Sequence, residues 1–145
     1  MKHLHEVLGI GVLVTSGVVS VWGVVAWMRG IPSSIFWYLL RLAQAVVVVE
    51  VVAGLIVSAG GTKPPDSLHY VYGVAPLVVS LVTEAMRAGS ASAELAGVED
   101  FEALPRSDQV RIARRIVVRE IGIMTVGSIL IVTLALRAAQ SGGLF

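Results

Sequence analysis

The sequence predicts an all-α integral membrane four-helix bundle, and three observations support this fold. Hydrophobic residues make up 56% of the 145-residue chain, whose mean hydropathy is +0.85, and a soluble domain of this size would expose much of that apolar surface to water. The segment from Val7 to Met28 runs for 22 residues without a charge, as is typical of a membrane span. Glycine and proline clusters divide the remainder into further apolar segments. We therefore expect one four-span domain, residues 1–145.

The first two predicted spans form the N-terminal half. Span 1 covers residues 5–28, and the sequence RGIP at 29–32 ends it. Its apolar run is longer than the core of a signal peptide, and no Ala-x-Ala-like site closes it, so we expect a retained helix. Span 2 covers residues 34–59. The glycines at 60–61 and the prolines at 64–65 end it, because proline cannot continue a helix.

Span 3 is predicted at residues 67–87, with Asp66 or Ser67 as its N-cap. The connection 88–115 follows, and we expect it to be an amphipathic segment on the cytoplasmic side. Its acidic part, residues 93–104, predicts a short surface helix.

Span 4 is predicted at residues 116–137, as the end of a longer helix that Ser107 would cap. A helix from there to Arg137 would be about 45 Å long, more than the ~30 Å hydrocarbon core. Its first, arginine-rich turns should therefore project into water.

The distribution of lysine and arginine predicts the orientation. The connections between spans 1 and 2 and between spans 3 and 4, with their flanks, carry Arg29, Arg87, Arg106, Arg111, Arg114 and Arg115. The opposite side carries Lys2, Lys63 and Arg137. By the positive-inside rule the two arginine-bearing connections face the cytoplasm, and both termini lie outside.

Two near-copies of one hexapeptide place two histidines at the starts of spans 1 and 3. LHEVLG at 4–9 contains His5 and Gly9, and LHYVYG at 68–73 contains His69 and Gly73. Spans 1 and 3 cross the membrane in the same direction, so both imidazoles lie at the same end. Each glycine lies one turn deeper on the same face, where the lack of a side chain lets a flat group come close.

Two imidazoles on facing helices are what bis-histidine ligation of haem b inside a bundle requires. His5 and His69 are accordingly the candidate iron ligands, with Gly9 and Gly73 beside the cofactor. A zinc site would need further ligands, for which His3, Glu6 and Asp66 lie within reach. Structural polar packing at the membrane boundary is the alternative to any ligand.

Ionisable side chains inside the spans are functional candidates, because they are costly in lipid. One group falls at similar depth near the cytoplasmic side: Arg41, Gln44, Glu84, Arg87, Arg119 and Glu120. We expect it to form an Arg–Glu network that joins three helices. The network would be a structural clasp near the interface, with a conduit or a site for anionic headgroups as the alternative. Glu50 lies alone in the middle of span 2, and its candidate partners are Tyr72, one turn from His69, and Ser16 and Ser20. A chain from Glu50 through Tyr72 to His69 would move protons or hold the interior together.

Several classes of function are disfavoured. The chain has no cysteine, which excludes disulfides and thiolate chemistry, and its net charge of +1 gives no footprint for nucleic acid. No nucleophile elbow, P-loop or His-Glu-x-x-His motif occurs, so an enzyme is not expected.

The stretch KPPDSLHYVYG at 63–73, together with LHEVLG and the four-span layout, resembles a group of small four-helix membrane proteins found in actinobacteria. No activity is established for that group, so the resemblance implies the fold alone.

Three functions remain open. The first is a multi-pass cell-membrane protein that binds haem b and takes part in electron transfer. The second is a non-catalytic accessory or scaffold subunit that docks a larger membrane complex or a second copy of the chain. The third is a minimal transporter with Glu50-dependent flux, which is less attractive because four helices lack broken-helix pairs.

Overall fold

The computed structural model describes residues 2–64 and 66–142, and over these residues it is all-helical. Its helices are α1 (Lys2–Met28), α2 (Ser34–Ala59), α3 (Leu68–Ala88), α4 (Ser90–Leu95) and α5 (Arg106–Ser141). Within the described residues, all but α4 are long and apolar enough to cross a membrane. The predicted all-α fold with four long apolar helices is therefore confirmed.

The ends of α2 and the start of α3 lie where capping chemistry places them. The Ser33 hydroxyl accepts a hydrogen bond from the Phe36 backbone N–H at 3.2 Å, which fixes the first turn of α2. Of the two candidates at the start of α3, Asp66 makes the bond: its Oδ1 accepts from the Leu68 N–H at 2.9 Å. Ser67 occupies the N-cap position without a side-chain bond.

The connection between α3 and α5 differs from the predicted arrangement. Its short helix, α4, lies earlier than the expected residues 93–104, because Gly97 has a positive φ of 87° and turns the chain out of the helix. Helix α5 starts at Arg106 directly after Pro105, and the expected Ser107 cap is not formed. With 36 residues, α5 is about 54 Å long.

Helix α5 is the most enclosed of the long helices and packs along both α1 and α3. Helices α1 and α2 form a second close pair, whereas α2 and α3 touch over a smaller surface. Helices α1 and α3 therefore lie diagonally opposite each other, with parallel directions. Two clusters of apolar side chains fill the interior. The first contains Val19, Ala26, Phe36, Leu40, Ala43, Ile121 and Met124, and the second Val12, Val47, Ile131 and Ala135.

Glycines let these helices approach closely. A Cβ on Gly23 of α1 would lie 2.7 Å from the Phe36 ring, and a Cβ on Gly127 of α5 would lie 2.6 Å from Thr83 Cγ2. Real Cβ contacts are never so short, so these positions require glycine at the observed spacing. Packing of this kind is how membrane helices associate, because lipid supplies no hydrophobic drive between them.

The outer surface is apolar, as lipid contact would require. Val21 is 69% exposed and Leu81 is 64% exposed, and exposed valine, leucine and isoleucine side chains line the outer faces of α1, α2 and α3. A water-facing surface of this size and composition would be unusual for a monomeric protein.

Candidate functional site

The two repeated histidines meet at one end of the bundle. The ring centroids of His5 and His69 lie 5.9 Å apart, with ring planes at 87° to each other. Helices α1 and α3 are diagonal and parallel, so residues in their first turns converge across the interior at the same level. The geometry thus brings together the pair that the hexapeptides single out.

Glu50 reaches this pair from α2. Its Oε1 lies 3.1 Å from His5 Nδ1, and the two side chains are 14% and 18% exposed. The contact is a close approach of a carboxyl oxygen and a ring nitrogen, since the His5 Nδ1 makes no hydrogen bond of good geometry within the described residues. His5, Glu50 and His69 form the cluster that we name the imidazole cluster.

The backbone fixes the tautomer of His69. Its Nδ1 lies 2.9 Å from the carbonyl oxygen of Ala138 in the last turns of α5. A carbonyl oxygen only accepts, so Nδ1 carries the hydrogen and donates. The lone pair of the neutral ring is then on Nε2, which is the form in which imidazole binds a metal. Ligand histidines are commonly held in this way, with the other ring nitrogen bonded to a carbonyl or carboxylate.

Four glycines shape the space around the imidazole cluster. A Cβ on Gly54 would lie 3.0 Å from His5 Cε1, and one on Gly142 would lie 2.9 Å from His69 Cε1, so both glycines make room for a ring. A Cβ on Gly9 would lie 3.9 Å from Glu50 Oε1, and one on Gly73 would have nothing within 4 Å. The side of the bundle at Gly73 is therefore open.

Sequence reasoning missed Gly54 and Gly142. Gly54 lies one turn after Glu50 on the same face of α2, so following the helix from Glu50 would have found it. Nothing in the sequence pairs Gly142 with His69, because His69 lies in α3 and Gly142 follows the end of α5.

Tyr72 and Glu50 are not hydrogen-bonded to each other within the described residues. Its ring packs under the Arg137 guanidinium, 5.7 Å from the ring centroid, while Glu50 contacts His5 instead. The structure thus brings together Glu50 and the histidines without the tyrosine between them.

The charged side chains at the opposite end form a network centred on Glu84. Its carboxylate accepts hydrogen bonds from Arg41 at 2.6 Å, Gln44 at 2.9 Å and Arg87 at 2.8 Å. Arg87 also lies 3.9 Å from Glu120. Helices α2, α3 and α5 are thereby joined.

Arg119, the sixth candidate, pairs elsewhere. It contacts Glu94 of α4 at 3.1 Å. The sequence alone does not identify Glu94 as the partner of Arg119, because Glu99, Asp100 and Glu102 lie in the same connection and are equally suited to pairing.

The imidazole cluster offers two ring nitrogens and no complete ion cage. Within residues 2–64 and 66–142, no group of three or more histidine, aspartate or glutamate side chains converges in a way that could hold a metal ion. His3 is 92% exposed and faces Glu6 at 3.8 Å, away from the pair. Two imidazoles suit a cofactor that brings its own equatorial ligands better than an ion such as zinc, which takes four protein ligands in structural sites.

No protein-family model matches the chain, and no curated protein or solved structure shows significant similarity to it. The resemblance to four-helix membrane proteins of actinobacteria therefore stays a prediction.

Proposed function

We propose that the chain is a multi-pass cell-membrane protein that binds one haem b between His5 and His69 and passes electrons through it. The observation that carries this proposal is the meeting of the two imidazoles at 5.9 Å, with the Nδ1 of His69 held by the Ala138 carbonyl. His5 and His69 would hold the iron of such a haem. Bis-histidine ligation needs two imidazoles, which is the number that this cluster offers.

The ring spacing supports the same assignment. A metal-bound imidazole has its nitrogen about 2 Å from the metal, so two rings can hold one metal only when they lie close together. The separation of 5.9 Å between the ring centroids of His5 and His69 is short enough for both to hold one iron. The open space at Gly73 gives a flat macrocycle a side from which to enter.

Glu50 would act as a positioning residue in this site. Its carboxylate lies beside His5 Nδ1 and would stabilise the ring orientation in which Nε2 faces the iron. Haem bound here supplies reversible one-electron chemistry. The protein supplies the two imidazoles, their orientation and an apolar surrounding.

Membrane insertion and orientation belong to the same proposal. Four long apolar helices and an apolar outer surface support a multi-pass protein. The excess of arginine around the α1–α2 and α3–α5 connections supports a cytoplasmic location for these connections and an extracytoplasmic location for both termini. The imidazole cluster then lies at the extracytoplasmic end.

An absorption spectrum of the purified protein, after expression with added haem precursor, tests the proposal. We expect a Soret band, lost in His5→Ala and in His69→Ala. His3→Ala is the matched control, because His3 lies in the same helix and is 92% exposed. It should keep the band.

Glu50→Gln separates positioning from ligation. It should retain the band with about tenfold weaker haem affinity, in line with the usual effect of an outer-shell partner. A protein that takes up no haem on titration, or equal losses in all three histidine variants, would overturn the haem proposal. Co-purification with a larger membrane complex and no chromophore would favour the accessory subunit.

A further inference from the structure

A groove of about 470 Å³ runs along the outer surface between α3 and α5, far from the imidazole cluster. Its lining is almost wholly apolar, and it ends near Trp27 of α1. The side chains along its walls are about half exposed: Val78, Val82 and Met86 from α3, and Val126 and Leu130 from α5. The groove therefore opens onto the surface that would face lipid.

Small residues form its floor. Gly122 is covered by the Trp27 indole, since a Cβ there would lie 2.8 Å from the ring. Gly127 lies against Thr83 in the same way. Because α5 has glycine at both levels, Trp27 and Thr83 pack directly against α5, and both residues line the groove.

One charged side chain borders this apolar groove. Arg119 lies at its cytoplasmic end and pairs with Glu94 at 3.1 Å, and it remains half exposed. Arg115 lies one turn earlier on the same face of α5, is exposed, and makes no ion pair within the described residues. Arg119 thus borders the groove and Arg115 lies one helical turn beyond it, and the single carboxylate paired with them is that of Glu94.

Given the membrane insertion proposed above, we infer that this groove binds a phospholipid with an anionic headgroup. One acyl chain lies along the apolar floor, and the anionic phosphate of the headgroup lies near Arg115 and Arg119. Charge and shape both favour this occupant. The acyl chain of an amphiphile fills the apolar part of the groove, while its anionic headgroup contacts the arginines at the positive end. Free phosphate would leave the apolar part unfilled.

The position of the arginines fits the leaflet in which such lipids are concentrated. The proposed orientation puts Arg115 and Arg119 at the cytoplasmic surface, and basic pockets between helices on that side are typical sites for acidic headgroups. Each arginine near an anionic surface contributes about a fivefold factor in binding. We therefore expect a preference of about five- to 25-fold over a zwitterionic lipid.

Trp27 is a built-in reporter of the occupant, because its ring lines the groove. In a Trp22→Phe/Trp37→Phe background it is the sole tryptophan of the chain. The protein is reconstituted in phosphatidylcholine vesicles that contain a minor fraction of phosphatidylglycerol, with bromine on the acyl chains of one lipid or the other. Bromine quenches nearby tryptophan, so quenching at equal mole fraction gives the relative affinity of the two lipids.

We expect brominated phosphatidylglycerol to quench Trp27 with the preference given above. Arg115→Gln/Arg119→Gln should reduce that preference below about twofold, and Glu94→Gln, which frees Arg119, should increase it. Arg111→Gln is the matched control, since Arg111 lies on the same helix but pairs with Asp108 at 2.9 Å outside the groove. It should leave the preference unchanged.

Equal quenching by the two lipids in the unaltered groove, or an unchanged preference in the double arginine variant, would overturn the lipid site alone. A fall in preference for Glu94→Gln would also contradict it. Quenching by neither lipid would overturn membrane insertion itself, so the two failures are distinguishable.

Discussion

At the scale of single residues, the buried serines Ser80 and Ser90 differ in what their hydroxyl groups contact. Ser80 is 8% exposed, and its Oγ has no hydrogen-bond partner among the described residues. Ser90 is 1% exposed, and its Oγ lies 2.8 Å from the Arg87 carbonyl and 3.2 Å from Glu120 Oε1. The first hydroxyl is buried without compensation, whereas the second links α3, α4 and α5.

We therefore predict opposite outcomes for two alanine substitutions. Ser80→Ala removes an unpaired polar group and should leave the free energy of unfolding unchanged or raise it by about 1 kcal/mol. Ser90→Ala removes a satisfied bond and should cost about 1–2 kcal/mol. Reversible unfolding in mixed micelles, followed by circular dichroism, measures both. An equal loss for the two variants would contradict the assignment.

The histidine pair could be predicted from the sequence, but the partner of Glu50 could not. The repeated hexapeptides fix the levels of His5 and His69, because both begin helices that run in the same direction. The partner of Glu50 depends on which helix lies across from its face. Tyr72 is close to His69 along α3, yet α1 is the tighter neighbour of α2, and its first turn brings His5 to the carboxylate.

At the scale of secondary-structure elements, several helix boundaries could be predicted from local capping chemistry. The bounds of α2 agree with the prediction at both ends, since Ser33 caps the start and Gly60 follows the end. The position of the helix in the acidic connection between α3 and α5 was harder to predict. Charged residues indicate a polar surface there but do not indicate where a helix begins or ends. The positive φ of Gly97 decides where α4 ends, and that conformation is not visible in composition.

Which helices pack against each other could not be predicted from the capping and composition patterns. The central place of α5 depends on its glycines facing α1 and α3, and the sequence does not say which partner each glycine meets. Gly127 faces Thr83 on α3, whereas Gly17 on α1 has open space at the position of a Cβ. The two glycines therefore form a matched pair for testing the packing of α5.

We predict that Gly127→Ala destabilises the bundle and Gly17→Ala does not. The new methyl at 127 would lie 2.6 Å from Thr83 Cγ2, so α3 must move outward at a cost of about 1–3 kcal/mol. At 17 the methyl meets no neighbour, and alanine gains up to about 1 kcal/mol in helix propensity. Thermal unfolding in detergent micelles compares them. Equal midpoints for the two variants would contradict the packing of α3 on α5.

On the scale of the whole molecule, two clusters of ionisable side chains lie at opposite ends of the bundle. The imidazole cluster occupies one end, and the Glu84 network with the arginines in the first turns of α5 occupies the other. The proposed haem site and the proposed lipid site therefore lie at opposite membrane surfaces. Both proposals depend on the same orientation, so a direct test of topology bears on each.

Because the chain contains no cysteine, a single introduced cysteine is the only thiol that a labelling reagent can modify in that test. Thr62→Cys places it in the α2–α3 connection and Glu99→Cys in the α4–α5 connection, and both positions are exposed. We predict that a membrane-impermeant maleimide labels Thr62→Cys in intact cells and labels Glu99→Cys only after lysis. The reason is the arginine excess around α5, which the positive-inside rule keeps in the cytoplasm. The reverse pattern would place the imidazole cluster inside the cell and the groove arginines outside, contrary to the proposed orientation.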